Sequence, residues 1–157
     1  MFHDITLTQA ERVLNSCKSR SLAAGELLCE EGSSPLEMYI LLIGELSVMK
    51  NNVEIATIKP VTTVGEMGVV TGETRTASLA AKVPSRLLVI RKIELDSIMR
   101  RDIDLGLTIF KNFATTLSKR LAETNTQLDR LRKENEQLKR QIAESEQGAQ
   151  EKLPGGR

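Results

Sequence analysis

The sequence predicts a mainly β fold with added helices: an antiparallel β-roll or jelly-roll barrel flanked by short helices, followed by one long coiled-coil helix. Three observations carry that expectation. Short apolar runs recur between turn signals over residues 19–91, the mark of many short antiparallel strands. From Lys92 onward the hydrophobic period changes to helical steps. Residues 105–149 then contain no proline, and glycine only at Gly106 and Gly148.

Taken in chain order, residues 7–17 read as a short helix. Thr8 and Glu11 have capping-box spacing, and Leu7, Val13, Leu14 and Cys17 share an expected inner face. The strand candidates follow as ELLCE, MYILLIG, ELSVMK, VEIATIK, ASLAAKV and RLLVIR, separated by AAG, EEGSSP, NN, TGET and VPS. Asn51-Asn52 tolerates positive φ and suits a tight hairpin. Ile93, Leu95, Ile98 and Met99 suggest a further short helix. The long helix would extend roughly 60 Å at ~1.5 Å per residue. The expected division is a β-roll domain at 1–104, a dimerisation helix at 105–150 and a disordered tail at 151–157, where LPGGR breaks the helix.

Composition narrows the function classes. The 157 residues are 40% hydrophobic and 27% charged, with a net charge of +1, so no strong overall field attracts nucleic acid or an anionic membrane. No apolar run approaches the ~20 residues needed to span a bilayer. The amino terminus lacks the basic head and apolar stretch of a secretory signal, and a cytoplasmic chain is expected. Cys17 and Cys29 then read as buried, reduced thiols. With His3 as the single histidine, a metal site is not expected, nor is an enzyme: no Ser–His or Cys–His arrangement is available.

The long helix carries a seam. Phe110, Ala114, Leu117, Leu121, Thr124, Leu128, Leu131, Asn135, Leu138, Ile142 and Ala149 fit one heptad register. Leu121, Leu128, Asn135 and Ile142 take a positions; Leu117, Leu131 and Leu138 take d positions. Asn at an a position favours two parallel strands in fixed register, and Glu134 at g faces Lys139 at e of a partner. Residues 105–113 can pack on their own domain; beyond Leu121 the seam needs a second helix. A parallel homodimer through residues 110–149 is expected, with Thr124 as a polar break in its d layer.

The most informative stretch is GEMGVVTGETRTAS, residues 65–78. Gly65, Gly68 and Gly72 allow tight turns between two strands. Such a loop presents backbone N–H groups toward one point. Arg75 adds a planar, permanently charged fork suited to phosphate oxygens. Glu66 adds an acceptor for sugar hydroxyls. Phosphate at one end and hydroxyl at the other describe a phosphorylated sugar or a nucleotide.

This run resembles the phosphate-binding cassette of the cyclic nucleotide-binding domain family, which includes the bacterial catabolite activators and the regulatory subunits of cyclic-AMP-dependent kinase. The likeness covers residues 5–125 and extends to Gly25-Glu26, Gly32 and the strand ending at Gly44-Glu45. The resemblance implies that Glu66 binds the ribose 2′-hydroxyl and Arg75 the cyclic phosphate. It also implies that Gly65, Met67, Gly68, Thr76 and Ala77 line the site. Thr76 suits either cyclic AMP, the first expectation, or cyclic GMP. Thr124 and Asn125 would meet the base, one of them from the partner subunit, which accounts for the polar break. The expected function is a cyclic-nucleotide sensor that dimerises through a parallel coiled coil and signals to a downstream protein. The alternative is the ligand-binding and dimerisation part of a Crp/Fnr-type transcription regulator. No helix-turn-helix follows in these residues, so DNA binding by this chain alone is not expected.

Overall fold

The computed structural model describes residues 3–150, with side chains described to residue 143. The tail expected at 151–157, and the side chain of Ala149, lie outside the described residues. Two compact units divide the chain, Met1–Phe113 and Ala114–Arg157.

Helix α1 (Leu7–Asn15) opens the first unit. Its N-cap is Thr6, whose hydroxyl accepts from the Gln9 N–H while the Gln9 side chain accepts from the Thr6 N–H. The capping box therefore lies two residues before the Thr8–Glu11 pair that spacing suggested, because Gln closes the box as well as Glu does. The helix also stops before Cys17. Val13 is fully buried, but Leu7 is 78% exposed, so the inner face is narrower than the sequence implied.

Eight strands follow: β1 (Lys18–Leu22), β2 (Leu27–Cys29), β3 (Glu37–Ile43), β4 (Leu46–Lys50), β5 (Val53–Ile58), β6 (Thr62–Val64), β7 (Ser78–Ala81) and β8 (Ser85–Arg91). They form two four-stranded sheets with orders β1-β8-β3-β6 and β2-β7-β4-β5, in which the neighbours pair antiparallel. Strands β1 and β6 escape the search for apolar runs. β1 reads KSRSL and buries only Leu22, and β6 is three residues long. The β4–β5 hairpin turns at Asn51 and Asn52, with φ of 50° and 62°, the double left-handed geometry that matches strand twist.

The core has two parts. Between the sheets lie Leu22, Leu28, Tyr39, Leu41, Leu46, Val64, Leu79, Ala81 and Leu87. On the other side of the first sheet, Met38, Ile90, Val13 and Val69 pack with Leu95, Leu105, Ile109 and Phe113. Strand β3 is thus buried on both faces, which is why it reads as the continuous run MYILL rather than alternating.

Helix α3 (Lys92–Arg101) and helix α4 (Ile103–Gln150) complete the chain. The first turns of α4 give Leu105, Ile109 and Phe113 to the second core, so the compact unit extends past the boundary drawn at residue 104. On the same turns Ile103, Leu107 and Phe110 are exposed. Ile103 and Leu107 stand seven residues before Phe110 and Ala114, so they continue the heptad register toward the amino terminus. Farther along, Leu121, Leu128, Leu131, Leu138 and Ile142 are exposed. Among the described residues no helix is long and apolar enough to cross a membrane.

Candidate functional site

The stretch from Gly65 to Ala77 joins β6 to β7. Instead of an open loop it contains helix α2 (Glu66–Thr71), bounded by Gly65 and Gly72, both left-handed with φ of 82° and 79°. Such φ values are routine for glycine and strained for other residues. At Gly65 space is also limiting: an added β-carbon would lie 2.5 Å from Nη1 of Arg75. A β-carbon on Gly68 would meet Pro35 Cβ at 2.6 Å. The glycines therefore let α2 and the segment before β3 approach closely.

Glu66 and Arg75, the two charged residues singled out in the sequence, are 1% and 7% exposed. The arginine is held on every side. Its main-chain N–H donates to Ser33 O at 2.9 Å, and its carbonyl accepts from the Gly32 N–H at 2.8 Å. Nη1 donates to Gly65 O at 3.1 Å and Nη2 donates to Glu37 O. The Tyr39 ring centroid lies 5.5 Å from the guanidinium carbon, within range of a cation–π contact. Among the described residues its buried Nε–H has no acceptor. A buried charge is normally paired. Here two main-chain carbonyls, of Gly65 and Glu37, accept from the guanidinium.

A pocket of about 400 Å³ opens beside Arg75, lined by β2, Glu30, Ser33, Ser34, Leu36, Glu37 and Tyr39. Tyr39 donates its hydroxyl to a Glu37 carboxylate oxygen at 3.3 Å. Burial, partly opposed by the Arg75 charge, pushes the Tyr39 phenol up to about 12. Of the residues expected at the site, Arg75 is the one that lines this pocket. Gly65, Glu66, Met67 and Gly68 stand at the start of α2; Thr76 and Ala77 lead into β7, Thr76 exposed and Ala77 half-buried. Thr124 and Asn125 lie on α4 in the second unit, exposed, with the Thr124 hydroxyl donating to Arg120 O at 2.9 Å.

The support from residues 32–39 was not expected. Gly32 and Ser33 clamp the Arg75 main chain, while Glu37 and Tyr39 hold its side chain. The sequence signal was present in EEGSSP, where Gly32 takes φ of 78°, but a turn signal says nothing about which distant segment the turn will meet. No group of three potential metal ligands is found among the described residues.

Comparison with known proteins agrees with this arrangement. The family model of the cyclic nucleotide-binding domain matches residues 19–102, the segment from β1 to the end of α3. A cyclic nucleotide-binding domain from Methylobacillus flagellatus superposes with a TM-score of 0.73 at 23% identity, over 78% of this chain and 72% of that one. The catabolite activator protein of Thermus thermophilus gives 0.68 at 23% identity, over 83% of this chain and 62% of that one. The regulatory domain of Toxoplasma gondii PKA, crystallised with cAMP, gives 0.58 at 20% identity, over 62% of this chain and 39% of that one. These likenesses establish the shared fold, and the family match spans the strands and the arginine-bearing cassette together. The chain belongs to the cyclic nucleotide-binding domain family.

Proposed function

We propose that the protein is a cyclic-nucleotide sensor, a binding module and not an enzyme, which dimerises through residues 110–149 and passes ligand occupancy to a downstream protein. The single observation that carries this reading is Arg75: a buried guanidinium held by the main-chain carbonyls of Gly65 and Glu37, beside an open pocket. A cyclic phosphate meets the guanidinium as a charge-assisted acceptor in this reading. Glu66, buried at the start of α2, takes the ribose 2′-hydroxyl in this reading. The main chain of Gly65, Met67, Gly68, Thr76 and Ala77 surrounds the phosphate and sugar. Thr124 and Asn125 remain assigned to the base. Cyclic AMP is the first expected ligand and cyclic GMP the second.

The heptad register on α4, with its exposed leucines, supports the dimer. Calorimetric titration of the full chain with cyclic AMP, cyclic GMP and a cyclic dinucleotide tests the ligand. Unchanged melting temperature with all three at millimolar concentration would reject the reading, because a ligand selective for the native state raises apparent stability.

A second reading is favoured by one observation. The Thermus activator matches over 83% of this chain but only 62% of its own length. The chain would then be the ligand-binding and dimerisation part of a Crp/Fnr-type regulator. The length of the intact reading frame separates the two.

A further inference from the structure

Glu37 engages the surroundings of Arg75 through two groups. Its main-chain carbonyl accepts from Arg75 Nη2, and its carboxylate accepts from the Tyr39 hydroxyl at 3.3 Å. We propose that Glu37 is a specificity-determining residue: its carboxylate admits a singly charged phosphodiester beside Arg75 and disfavours doubly charged phosphate monoesters. The inference deepens the cyclic-nucleotide reading of this pocket and rests on it.

The first argument is geometry. Glu37 is half-buried and lines the pocket of about 400 Å³ together with Tyr39 and Arg75. Glu37 and Tyr39 stand two residues apart on β3 and so share one face of the sheet. The Tyr39 ring centroid lies 5.5 Å from the guanidinium carbon, and the hydroxyl of the same ring holds the carboxylate. One aromatic side chain thus ties the negative group to the positive one. Both charges reach the phenol: burial raises it most, Arg75 lowers it, and Cys29 and Glu37 raise it.

The second argument is where the neighbouring charges point. Arg91 is the cross-strand partner of Glu37. Its guanidinium is turned to Glu94 instead, with Nε donating at 3.0 Å and Nη2 at 2.5 Å. Arg20 pairs with Glu26 at 3.6 Å. Glu30, exposed just past β2, is a second acidic residue lining the pocket. Two acidic residues and one arginine therefore line it.

A ligand phosphate at Arg75 must share this space, and Coulomb repulsion acts on every charge it carries. A cyclic phosphodiester carries one. A monoester carries close to two above its second pKa of about 6. On a logarithmic scale the carboxylate therefore weakens monoester binding about twice as much. Discrimination of this kind comes from a repulsive element and needs no added contact to the favoured ligand. It matters here because a nucleoside 5′-monophosphate shares base and sugar with its cyclic counterpart.

The test uses the full chain at pH 8 in calorimetric titrations. The ligands are the tighter-binding of cyclic AMP and cyclic GMP, the corresponding 5′-monophosphate, and the methyl ester of that monophosphate, a phosphodiester with one charge. In Glu37→Gln the side-chain amide oxygen still accepts from Tyr39, so the charge alone is removed. That variant should bind the cyclic nucleotide about threefold and the monophosphate about tenfold more tightly than the native protein does. Glu11→Gln, on the exposed side of α1, removes a charge of the same sign away from the pocket and should change neither. The native protein should prefer the methyl ester to the monophosphate by about threefold, a comparison that needs no variant. An unchanged ratio in Glu37→Gln, weaker binding of the cyclic nucleotide by it, or a native preference for the monophosphate over its ester would overturn the inference and leave the proposed function standing. No binding of cyclic AMP or cyclic GMP by the native protein would overturn both.

Discussion

The Arg75 guanidinium packs directly against Gly65. Nη1 of the arginine donates to the glycine carbonyl at 3.1 Å, and a β-carbon on the glycine would lie 2.5 Å from that same nitrogen. Gly65 also holds φ of 82°, so the position is restricted by backbone conformation and by space. Gly65→Ala should cost about 1–3 kcal/mol of stability and should weaken cyclic-nucleotide binding by displacing the guanidinium. Urea unfolding and calorimetric titration of the one variant measure both effects. A variant as stable as the native protein would show that the guanidinium can move aside without penalty.

Substitution of Arg75 itself separates charge from geometry. Arg75→Ala leaves a bound phosphate without its buried partner, an expected loss on the order of 3–5 kcal/mol, or roughly a hundred- to several-thousand-fold in affinity. Arg75→Lys keeps the charge, but an ammonium lacks the planar fork that meets Gly65 O and Glu37 O together. Lysine should therefore recover only part of the affinity. Full recovery would mean that charge alone holds the ligand.

Stability at acid pH should depend on Glu54. Its carboxylate accepts from Lys82 at 2.7 Å, from Thr57 at 2.8 Å and from Ser47 at 2.9 Å. These partners, Lys82 foremost, hold it down at about 2. A folded value below the ordinary 4.5 means that the contribution is complete above about pH 4.5 and is lost as pH falls toward 2. Thermal melts of Glu54→Gln should show a shallower decline across that window than the native protein. Parallel curves would assign the acid sensitivity elsewhere.

The two faces of α4 predict opposite outcomes. Ile109 is fully buried in the second core, and Ile109→Ala should cost about 2–5 kcal/mol in unfolding without altering oligomeric state. Leu131 is 60% exposed on the heptad face. If residues 110–149 pair as proposed, Leu131→Lys should leave the first unit folded and convert that dimer to monomer in sedimentation at matched concentration.

Asn135 tests register. An Asn at an a position lowers stability but selects two parallel strands. Asn135→Leu should raise the melting temperature and broaden the distribution of oligomers seen by light scattering. A single dimeric species with an unchanged melting point would remove the residue from the seam.

Much of the architecture was legible in local pattern. Six of the eight strands, the Asn51-Asn52 turn, α3 and the extent of α4 follow from hydrophobic period and turn chemistry, because each depends on residues close in sequence. β1 was not legible: KSRSL buries one residue, and only pairing with β8 makes it a strand. The Thr6 capping box was missed because one Thr–Gln pair and one Thr–Glu pair compete within three residues.

By itself the sequence determined an antiparallel β-roll domain of short strands, a long heptad helix and a cassette with one glycine-flanked acid and one arginine. Residue type and spacing are enough for these, since apolar period and backbone freedom are local properties. Only the tertiary structure decided how that arginine is held. Glu37 and Tyr39 lie far from Arg75 along the chain, and only the folding of the segment before β3 against α2 brings their carbonyl and ring to the guanidinium. Burial of that charge on main-chain carbonyls is a property of the assembled core, and no local pattern encodes it.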